Sequence, residues 1–302
     1  MNTTVIRTSN EESCNVLNKI KSNFLLKTKT IRLRKNTTEV RFAELGDLSN
    51  PTIILLHGVP ENLQCWYAVA PILAEKYHIL ALDWPGFGGS APLTLTDNYN
   101  SQFFAEIIVD FMDTLDVVKA HLVATDISLL PALLAGLEYP DRVLKLAVMD
   151  GIPFPRPQYS SWELRSFSKE GSILGKALVN WFPGISSQIA RIKGFYRGHS
   201  IPKEVLKEFE LDGKSKTNQI AFLSYFQNFY KGQTYFEDQV KNLKTEVLVI
   251  WGKQDRFINK KLANEIADRI PNSKLKIIDK AGHYVHMDKP KELTSIVSEF
   301  IS

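Results

Sequence analysis

The sequence is poor in cysteine, because its 302 residues include only Cys14 and Cys65. Two cysteines exclude a disulfide framework and are typical of a reducing compartment. The amino-terminal segment lacks the apolar stretch of a secretory signal, and no apolar run approaches membrane-spanning length. The net charge is only +4, and the basic residues are spread along the chain rather than clustered for nucleic acid. These absences predict a cytoplasmic protein with no nucleic-acid partner and no membrane partner, and they indicate no oligomeric state.

Apolar runs with strand character alternate with helical patterns along much of the chain. Hydrophobic residues make up 44% and charged residues 23%, which is the composition of an ordinary globular protein. The patterns predict strands at 39–44, 52–56, 79–82, 121–124, 143–149, 247–251 and 275–278, and helices at 64–77, 101–115, 129–137, 205–211, 219–230, 260–270 and 290–300. Such alternation is typical of the α/β class, in which a mostly parallel sheet is covered by helices on both faces.

The alternation stops between residues 152 and 242, where helical pieces occur among aromatic residues, glycine and proline, without a strong strand pattern. We therefore predict an N-terminal extension at 1–27, an α/β core formed by 28–151 and 243–302, and a helical lid at 152–242. The lid is inserted after the sixth strand. A cleft between such a lid and its core is where ligands bind in architectures of this kind.

One aspartate, Asp126, stands between a predicted buried strand and a predicted helix. Residues 121–130 read HLVATDISLL, so the small residues Ala124 and Ser128 flank Asp126 at a distance of two positions. This arrangement resembles a nucleophile elbow, a sharp turn that exposes one side chain above the sheet and normally has glycine at both flanking positions. A carboxylate there attacks carbon directly and forms an ester that water must hydrolyse. That chemistry suits strained ethers and alkyl halides better than ordinary esters.

The sequence HGVPE at residues 57–61 follows a predicted strand and supplies a loop next to the elbow. A backbone N–H in such a loop forms one half of an oxyanion hole, and the N–H just after the nucleophile forms the other half. Val59 and Ile127 are therefore the predicted donors. We expect a cis bond between Val59 and Pro60, and we expect His57 to brace the loop and, with Pro60, to border the substrate pocket.

A histidine and an acid are needed to hydrolyse the ester. His283 follows the last predicted strand in the sequence AGH and is the predicted base that removes a proton from water. Two acids compete to orient its imidazole. Asp255 follows the strand after the lid, and Asp150 ends the strand after the elbow helix. We favour Asp255, with Asp150 as the alternative.

Taken together, these motifs resemble the epoxide hydrolase and haloalkane or haloacetate dehalogenase branch of the α/β-hydrolases, over roughly residues 30–302. The resemblance is carried by residues 57–61, 83–90, 124–128, 137–142, 255 and 281–283. It implies an α/β-hydrolase fold and a hydrolase with an aspartate nucleophile that needs no cofactor and no metal.

Two features expected of dehalogenases are missing. Haloalkane dehalogenases generally have tryptophan just after the nucleophile, where this chain has Ile127, and the following helix has no arginine to hold a substrate carboxylate. A carboxylate without a partner in an apolar pocket costs several kcal/mol. The prediction is therefore an epoxide of an apolar, neutral small molecule. A haloalkane or haloacid dehalogenase is the alternative enzyme. A non-catalytic small-molecule binder, or a metabolite-tailoring enzyme on the same scaffold, is the alternative of another class.

The resemblance also implies lid residues that protonate or hold the leaving group. The lid tyrosine of epoxide hydrolases aligns with Phe226, while Tyr225 lies one residue earlier and so about 100° away around the helix. Asn180 and Trp181 resemble the lid pair that holds a leaving halide, and Trp66 is a further aromatic candidate for the pocket. Other candidate acids are Tyr159, Tyr196, Tyr230 and Tyr235.

Overall fold

An eight-stranded sheet lies at the centre of the protein, whose computed structural model describes residues 24–168, 177, 181–182, 184–197 and 201–302. The strands are Thr28–Arg32 (β1), Glu39–Leu45 (β2), Thr52–Leu56 (β3), His78–Leu82 (β4), Ala120–Thr125 (β5), Val143–Met149 (β6), Glu246–Gly252 (β7) and Ser273–Ile278 (β8). Their order across the sheet is β1-β2-β4-β3-β5-β6-β7-β8. The pairs β1–β2 and β2–β4 are antiparallel and all others are parallel.

Helices cover both faces of this sheet and bury two apolar clusters against it. The helices outside the β6–β7 connection are Ala70–Leu73, Ser101–Thr114, Leu129–Glu138, Lys261–Arg269, Val285–Asp288 and Pro290–Ile301. The central strands β3, β4 and β5 are almost wholly buried, as expected for parallel strands covered on both sides. The predicted fold class, a mostly parallel and doubly covered α/β sheet, is confirmed.

The described part of the connection between β6 and β7 is mostly helical. Its helices are Trp162–Ser168, Ile185–Lys193, Lys203–Lys214 and Lys216–Gln239. The long helix Lys216–Gln239 reaches the predicted elbow, because the Tyr225 hydroxyl donates to the carbonyl oxygen of Ile127 at 2.9 Å. The helices therefore lie over the carboxyl ends of the central strands. The boundaries 152–242 for a separate lid stay a prediction.

Three local predictions need correction or completion. The edge strand β1 was not anticipated, because its residues are mostly exposed and carry little apolar signal. The continuous helix predicted at 64–77 is wrong: a 3-10 turn, Leu63–Trp66, is followed by the short helix Ala70–Leu73. Pro71 explains the break, since proline lacks the N–H of a continuous helix and clashes with the preceding turn. Most of the predicted extension, residues 1–23, lies outside the described residues.

No helix in the described part of the chain has the length and apolar content needed to cross a membrane.

Candidate active site

The turn after β5 places Asp126 at its apex. β5 ends at Thr125, a 3-10 turn covers Asp126–Ser128, and the helix Leu129–Glu138 follows directly. Asp126 has a φ of +53°, in the left-handed region that residues other than glycine seldom adopt. Such a conformation costs on the order of 1–3 kcal/mol, which the surrounding fold must offset. The strained turn presents the Asp126 carboxylate above the carboxyl edge of the sheet.

The loop after β3 comes so close to this carboxylate that only glycine fits at one position. A Cβ on Gly58 would lie 2.7 Å from the Asp126 Cβ and 2.9 Å from its Oδ2. The close approach allows the Val59 N–H to donate to Asp126 Oδ2 at 2.8 Å. The expected cis bond between Val59 and Pro60 is confirmed. One carboxylate oxygen is thus held by a main-chain amide, and the other faces the histidine.

His283 lies between two carboxylates. Its Nδ1 is 2.9 Å from Asp255 Oδ2, and its Nε2 is 3.8 Å from Asp126 Oδ1. The second distance is too long for a hydrogen bond but allows one water to be shared. Burial disfavours the charged imidazole, yet the carboxylates of Asp255 and Asp126 outweigh burial and raise the pKa of His283. The imidazole is therefore set to accept and hold a proton beside Asp126.

The loop after β7 fixes the orientation of Asp255. Its Oδ1 accepts hydrogen bonds from the backbone N–H groups of Phe257 and Ile258, at 2.7 and 3.1 Å. Its Oδ2 therefore remains available to accept a hydrogen bond from the Nδ1–H of His283. This arrangement selects a single tautomer of the imidazole, with its lone pair on Nε2 and facing Asp126.

Asp150, the alternative acid, lies close by but in a different role. It also has a positive φ, +49°, and its Oδ1 accepts the Gly252 N–H at 3.0 Å. Its Oδ2 makes no hydrogen bond. Burial and the nearby charge of Asp255 raise the pKa of Asp150 well above the usual range. The structure thus pairs Asp255 with His283 and keeps Asp150 as a buried neighbour.

A cavity opens beside Asp126 and His283. Its lining is largely apolar and comes from both sides, from the loop after β3 and from the helices of the β6–β7 connection. The lining residues are Val59, Pro60, Asp126, Glu163, Leu164, Phe167, Ser186, Ile189, Ala190, Phe222, Phe226, Phe257, His283 and Tyr284. The predicted pocket residues Pro60 and Phe226 are among them.

Glu163 is a charged lining residue that sequence reasoning missed. It is buried, and its Oε1 accepts a hydrogen bond from the Lys193 ammonium at 2.6 Å. Burial acts to raise the pKa of Glu163, but the hydrogen bond and charge of Lys193, together with further hydrogen bonds, lower it overall. Its sequence context, an acid at the start of a helix, is common on surfaces and carried no signal of a buried position.

Several predicted pocket residues do not line this cavity. Tyr225 is fully buried, and its hydroxyl is shared between the Ile127 carbonyl and Ser101 Oγ, each at 2.9 Å. Trp66 is also fully buried, with its ring 4.8 Å from that of His286. The Trp181 side chain is 78% exposed, and Asn180 lies outside the described residues. The placement of both tryptophans and Tyr225 in the pocket is therefore corrected: packing or exposure keeps each of them out of the cavity lining.

His57 is likewise a brace and not a cavity residue. It is fully buried, its Nδ1 lies 2.7 Å from the Gly58 oxygen, and its Nε2 accepts the Trp84 backbone N–H at 3.2 Å. Burial lowers the pKa of His57, which keeps its imidazole neutral. The ring thus connects the loop after β3 to the loop after β4. Its placement in the substrate pocket was wrong, and its bracing role matches these contacts.

The hydroxyl nearest to the apex in sequence, Ser128, is already used. It donates to the His57 carbonyl oxygen and accepts the Trp84 indole N–H, the latter at 2.7 Å. Ser128 therefore does not take the place of a serine nucleophile. None of Tyr159, Tyr196, Tyr230 and Tyr235 lines the cavity beside Asp126.

Comparisons with known proteins agree with this architecture. A family model described as the alpha/beta hydrolase fold matches residues 51–290. The chain is 26% identical over 287 residues to a 2-hydroxy-6-oxononadienedioate/2-hydroxy-6-oxononatrienedioate hydrolase of Burkholderia vietnamiensis, covering 91% of this chain and 95% of that one. It is 23% identical over 289 residues to epoxide hydrolase 3 of Xenopus tropicalis, covering 90% and 77%.

A solved structure supports the fold independently. The haloalkane dehalogenase DbeA from Bradyrhizobium elkani superimposes with a TM-score of 0.79 at 18% identity, covering 91% of this chain and 97% of that one. At this identity the likeness shows the fold alone. The family match spans more than half of the chain, and the sheet order and the strained elbow agree with it. The chain therefore belongs to the α/β-hydrolase fold family and is a hydrolase of that superfamily.

Proposed function

We propose that this hydrolase acts through a covalent ester on Asp126 and that it opens an epoxide carried by a largely apolar molecule. The observation that carries the proposal is the carboxylate at the elbow, where one oxygen is held by the Val59 N–H and the other lies 3.8 Å from His283. Among the described residues, no further cation or hydrogen-bond donor contacts that second oxygen. The carboxylate therefore keeps its nucleophilicity for a bound carbon electrophile.

In the first step, an oxygen of Asp126 attacks a ring carbon of the epoxide. A carbon–oxygen ester bond forms, the ring carbon–oxygen bond breaks, and its electron pair goes to the ring oxygen. That oxygen needs a proton as it leaves. In the described residues, Tyr284 is the phenol that lines the cavity, and burial raises its pKa so that it keeps its proton at neutral pH. We assign Tyr284 as the donor in place of Tyr225.

In the second step, water hydrolyses the ester. His283 removes a proton from water, and the hydroxide adds to the Asp126 carboxyl carbon. The Val59 N–H then stabilises the negative oxygen that develops, and the Ile127 N–H at the start of the elbow turn is the proposed second donor. As this intermediate collapses, the bond from the carboxyl carbon to the alkyl oxygen breaks and that oxygen takes the proton held by His283, which releases a diol. The proton left on the Asp126 carboxyl group passes to the Tyr284 phenolate and restores both side chains. Asp255 stabilises the imidazolium through its 2.9 Å contact.

The lining of the cavity supports an apolar substrate body. The rings of Phe167, Phe222 and Phe226 lie within 6.4 Å of one another, measured between centroids, and form one wall. The Glu163–Lys193 pair adds a single polar spot. We propose that the helices of residues 152–242 act as a lid that supplies this wall and keeps bulk water from the ester.

Displacement of a halide would use the same attack, and it is the second candidate. A halide needs ring N–H groups around an ion-sized space. Trp181, the predicted donor, is exposed, and the residue after Asp126 is the apolar Ile127. These two observations favour the epoxide over the halide.

A single-turnover experiment tests the proposal. Purified protein is mixed with a panel of aryl and alkyl epoxides and, in parallel, with 1-haloalkanes, and intact mass is recorded after acid quench. We expect His283→Gln to accumulate an adduct whose added mass equals that of the epoxide, because attack proceeds while hydrolysis stops. We expect Asp126→Asn to form no adduct and no diol.

The matched controls separate the steps. Tyr284→Phe is expected to slow adduct formation without slowing adduct decay, because the phenol serves only the leaving oxygen. Ser128→Ala leaves Asp126 in place and should still form the adduct. Full turnover by Asp126→Ala on any substrate that wild type converts would refute covalent catalysis. Release of halide from the haloalkanes, with no product from any epoxide, would show that the protein is a dehalogenase instead.

A further inference from the structure

A second polar cluster lies buried behind the active site and takes no part in the proposed reaction. Glu61, Cys65 and His286 are each at most 2% exposed. One potential ligand atom from each of them lies within 4.8 Å of the others, and this is the one such trio in the described part of the chain. The three residues come from three different elements: the loop after β3, the 3-10 turn Leu63–Trp66 and the helix Val285–Asp288.

Several polar atoms of this cluster make no hydrogen bond to the described residues outside it. Neither ring nitrogen of His286 makes a hydrogen bond, and neither does Glu61 Oε1, although it lies 3.3 Å from His286 Nε2. The indole N–H of Trp66, whose ring packs on His286, is also unpaired. Buried polar atoms are nearly always paired in native proteins, and each unpaired one costs about 1–3 kcal/mol. Several orphans at one place indicate a species that bridges them.

Charge and ligand type indicate what that species is. Glu61 Oε2 accepts one long hydrogen bond of 3.3 Å from the Gly58 N–H, which does little to compensate a buried carboxylate. A divalent cation would satisfy the carboxylate, an imidazole nitrogen and a thiolate together, and with two anionic ligands the site would be neutral. A thiolate, an imidazole and a carboxylate form a ligand set typical of zinc.

We propose that Glu61, Cys65 and His286 bind a zinc ion. Tetrahedral zinc places its ligand atoms about 3.3–3.5 Å apart, so the trio would close by roughly 1 Å.

The surroundings provide a route to the site and a consequence of filling it. A second cavity is lined by Glu61, one member of the trio, so water that enters from the Glu61 side can supply a fourth ligand. The ion would join the loop that carries the Val59 amide to the helix that follows His283. Zinc is thus a structural tie that holds these two parts of the active site in register.

The experiment measures metal content, affinity and stability, so it is independent of turnover. The full chain is purified without an affinity tag, and zinc is determined by mass spectrometry of the element. The protein is then stripped of metal with a chelator and titrated with Zn²⁺. A parallel titration uses Co²⁺, because the visible spectrum of bound cobalt reports tetrahedral thiolate ligation. We expect about one zinc per chain, a thiolate band with cobalt, and a lower Tm after stripping.

Matched variants make the outcome decisive. Cys65→Ser and His286→Gln keep the size of each side chain and should each weaken zinc binding by at least about a hundredfold. Two control variants change the same residue types elsewhere. Cys14→Ser replaces the other cysteine, and His121→Gln replaces a buried histidine near the amino-terminal end of β5. Both variants should bind zinc as wild type does. Asp126→Asn should lose activity and keep the metal.

Absence of stoichiometric zinc with an unchanged Tm after stripping would show that water alone bridges the cluster and would overturn the proposal. Equal binding by the Cys65→Ser variant would overturn it too.

Discussion

The exchange Asp255→Asn removes one charge next to the catalytic imidazole and leaves the shape of the site unchanged. Asp255 Oδ2 lies 2.9 Å from His283 Nδ1, and both side chains are buried, at 0% and 4% exposure. Two unit charges at that separation attract by about 6 kcal/mol when the effective dielectric constant is about 20. Since each 1.36 kcal/mol is a factor of ten in rate, we expect ester hydrolysis to slow by about 10⁴-fold. A similar exchange in serine hydrolase triads has a comparable effect.

The effect should fall on one half-reaction only. Attack by Asp126 on the substrate uses neither Asp255 nor the imidazole, so the adduct should form at close to the wild-type rate. Its decay requires His283 as a base and should become the slow step. Quenched-flow mixing followed by intact-mass measurement resolves both rates. Denaturant unfolding of the variant checks that the fold is retained.

Asp150→Asn is the matched control, because it makes the same chemical change at the neighbouring acid. Burial and the charge of Asp255 raise the pKa of Asp150, which favours the uncharged form of its carboxyl group. Replacing it by an amide should change adduct decay by less than about tenfold. If Asp150→Asn traps the adduct and Asp255→Asn does not, the pairing of His283 with Asp255 is not the catalytic one, and the reasoning fails.

Three more predictions follow from contacts at the elbow. Gly58→Ala places a methyl group 2.7 Å from the Asp126 Cβ, so we expect a loss of about 1–3 kcal/mol in unfolding free energy and at least a hundredfold slower adduct formation; an unchanged rate would contradict the close approach. Tyr225→Phe leaves the buried Ile127 carbonyl without its donor and should cost about 1–3 kcal/mol in denaturant unfolding, with adduct formation within tenfold of wild type; a larger loss would make Tyr225 the proton donor. The third concerns pH: the carboxylates of Asp255 and Asp126 raise the pKa of His283 in the free protein, and ester formation removes the charge of Asp126. Adduct hydrolysis should therefore rise with pH through a pKa lower than the one that NMR titration finds for His283 in the free protein; equal values would show that the two side chains do not interact.

The periodic patterns in the sequence were sufficient for most of the sheet. Strands β3 and β6 occur at the predicted positions, and the other predicted strands differ from β2, β4, β5, β7 and β8 by one or two residues at their ends. Long apolar runs have few alternatives to burial in a parallel sheet, so their positions can be read locally. The edge strand β1 has no such constraint, because one face and one edge contact water.

The chemistry of the elbow could also be read locally, because it depends on chain order. Asp126, Asp255 and His283 each follow a predicted strand, and parallel strands bring their carboxyl ends to one edge of the sheet. The choice between Asp255 and Asp150 could not be made this way. Both lie at strand ends, and only the loop that turns the Asp255 carboxylate toward His283 separates them.

The chain order by itself determined the sheet, the position of the carboxylate above it and the type of chemistry that a carboxylate allows, since these depend on local periodicity and strand direction. Tertiary packing decided which side chains reach the cavity: it directed the Tyr225 hydroxyl to the Ile127 carbonyl and brought Glu163 inward with Lys193. It also gathered Glu61, Cys65 and His286, the first and last of them 225 positions apart in sequence, into one buried trio. Such meetings depend on the angles at which helices and loops pack, and those angles follow from contacts distant along the chain.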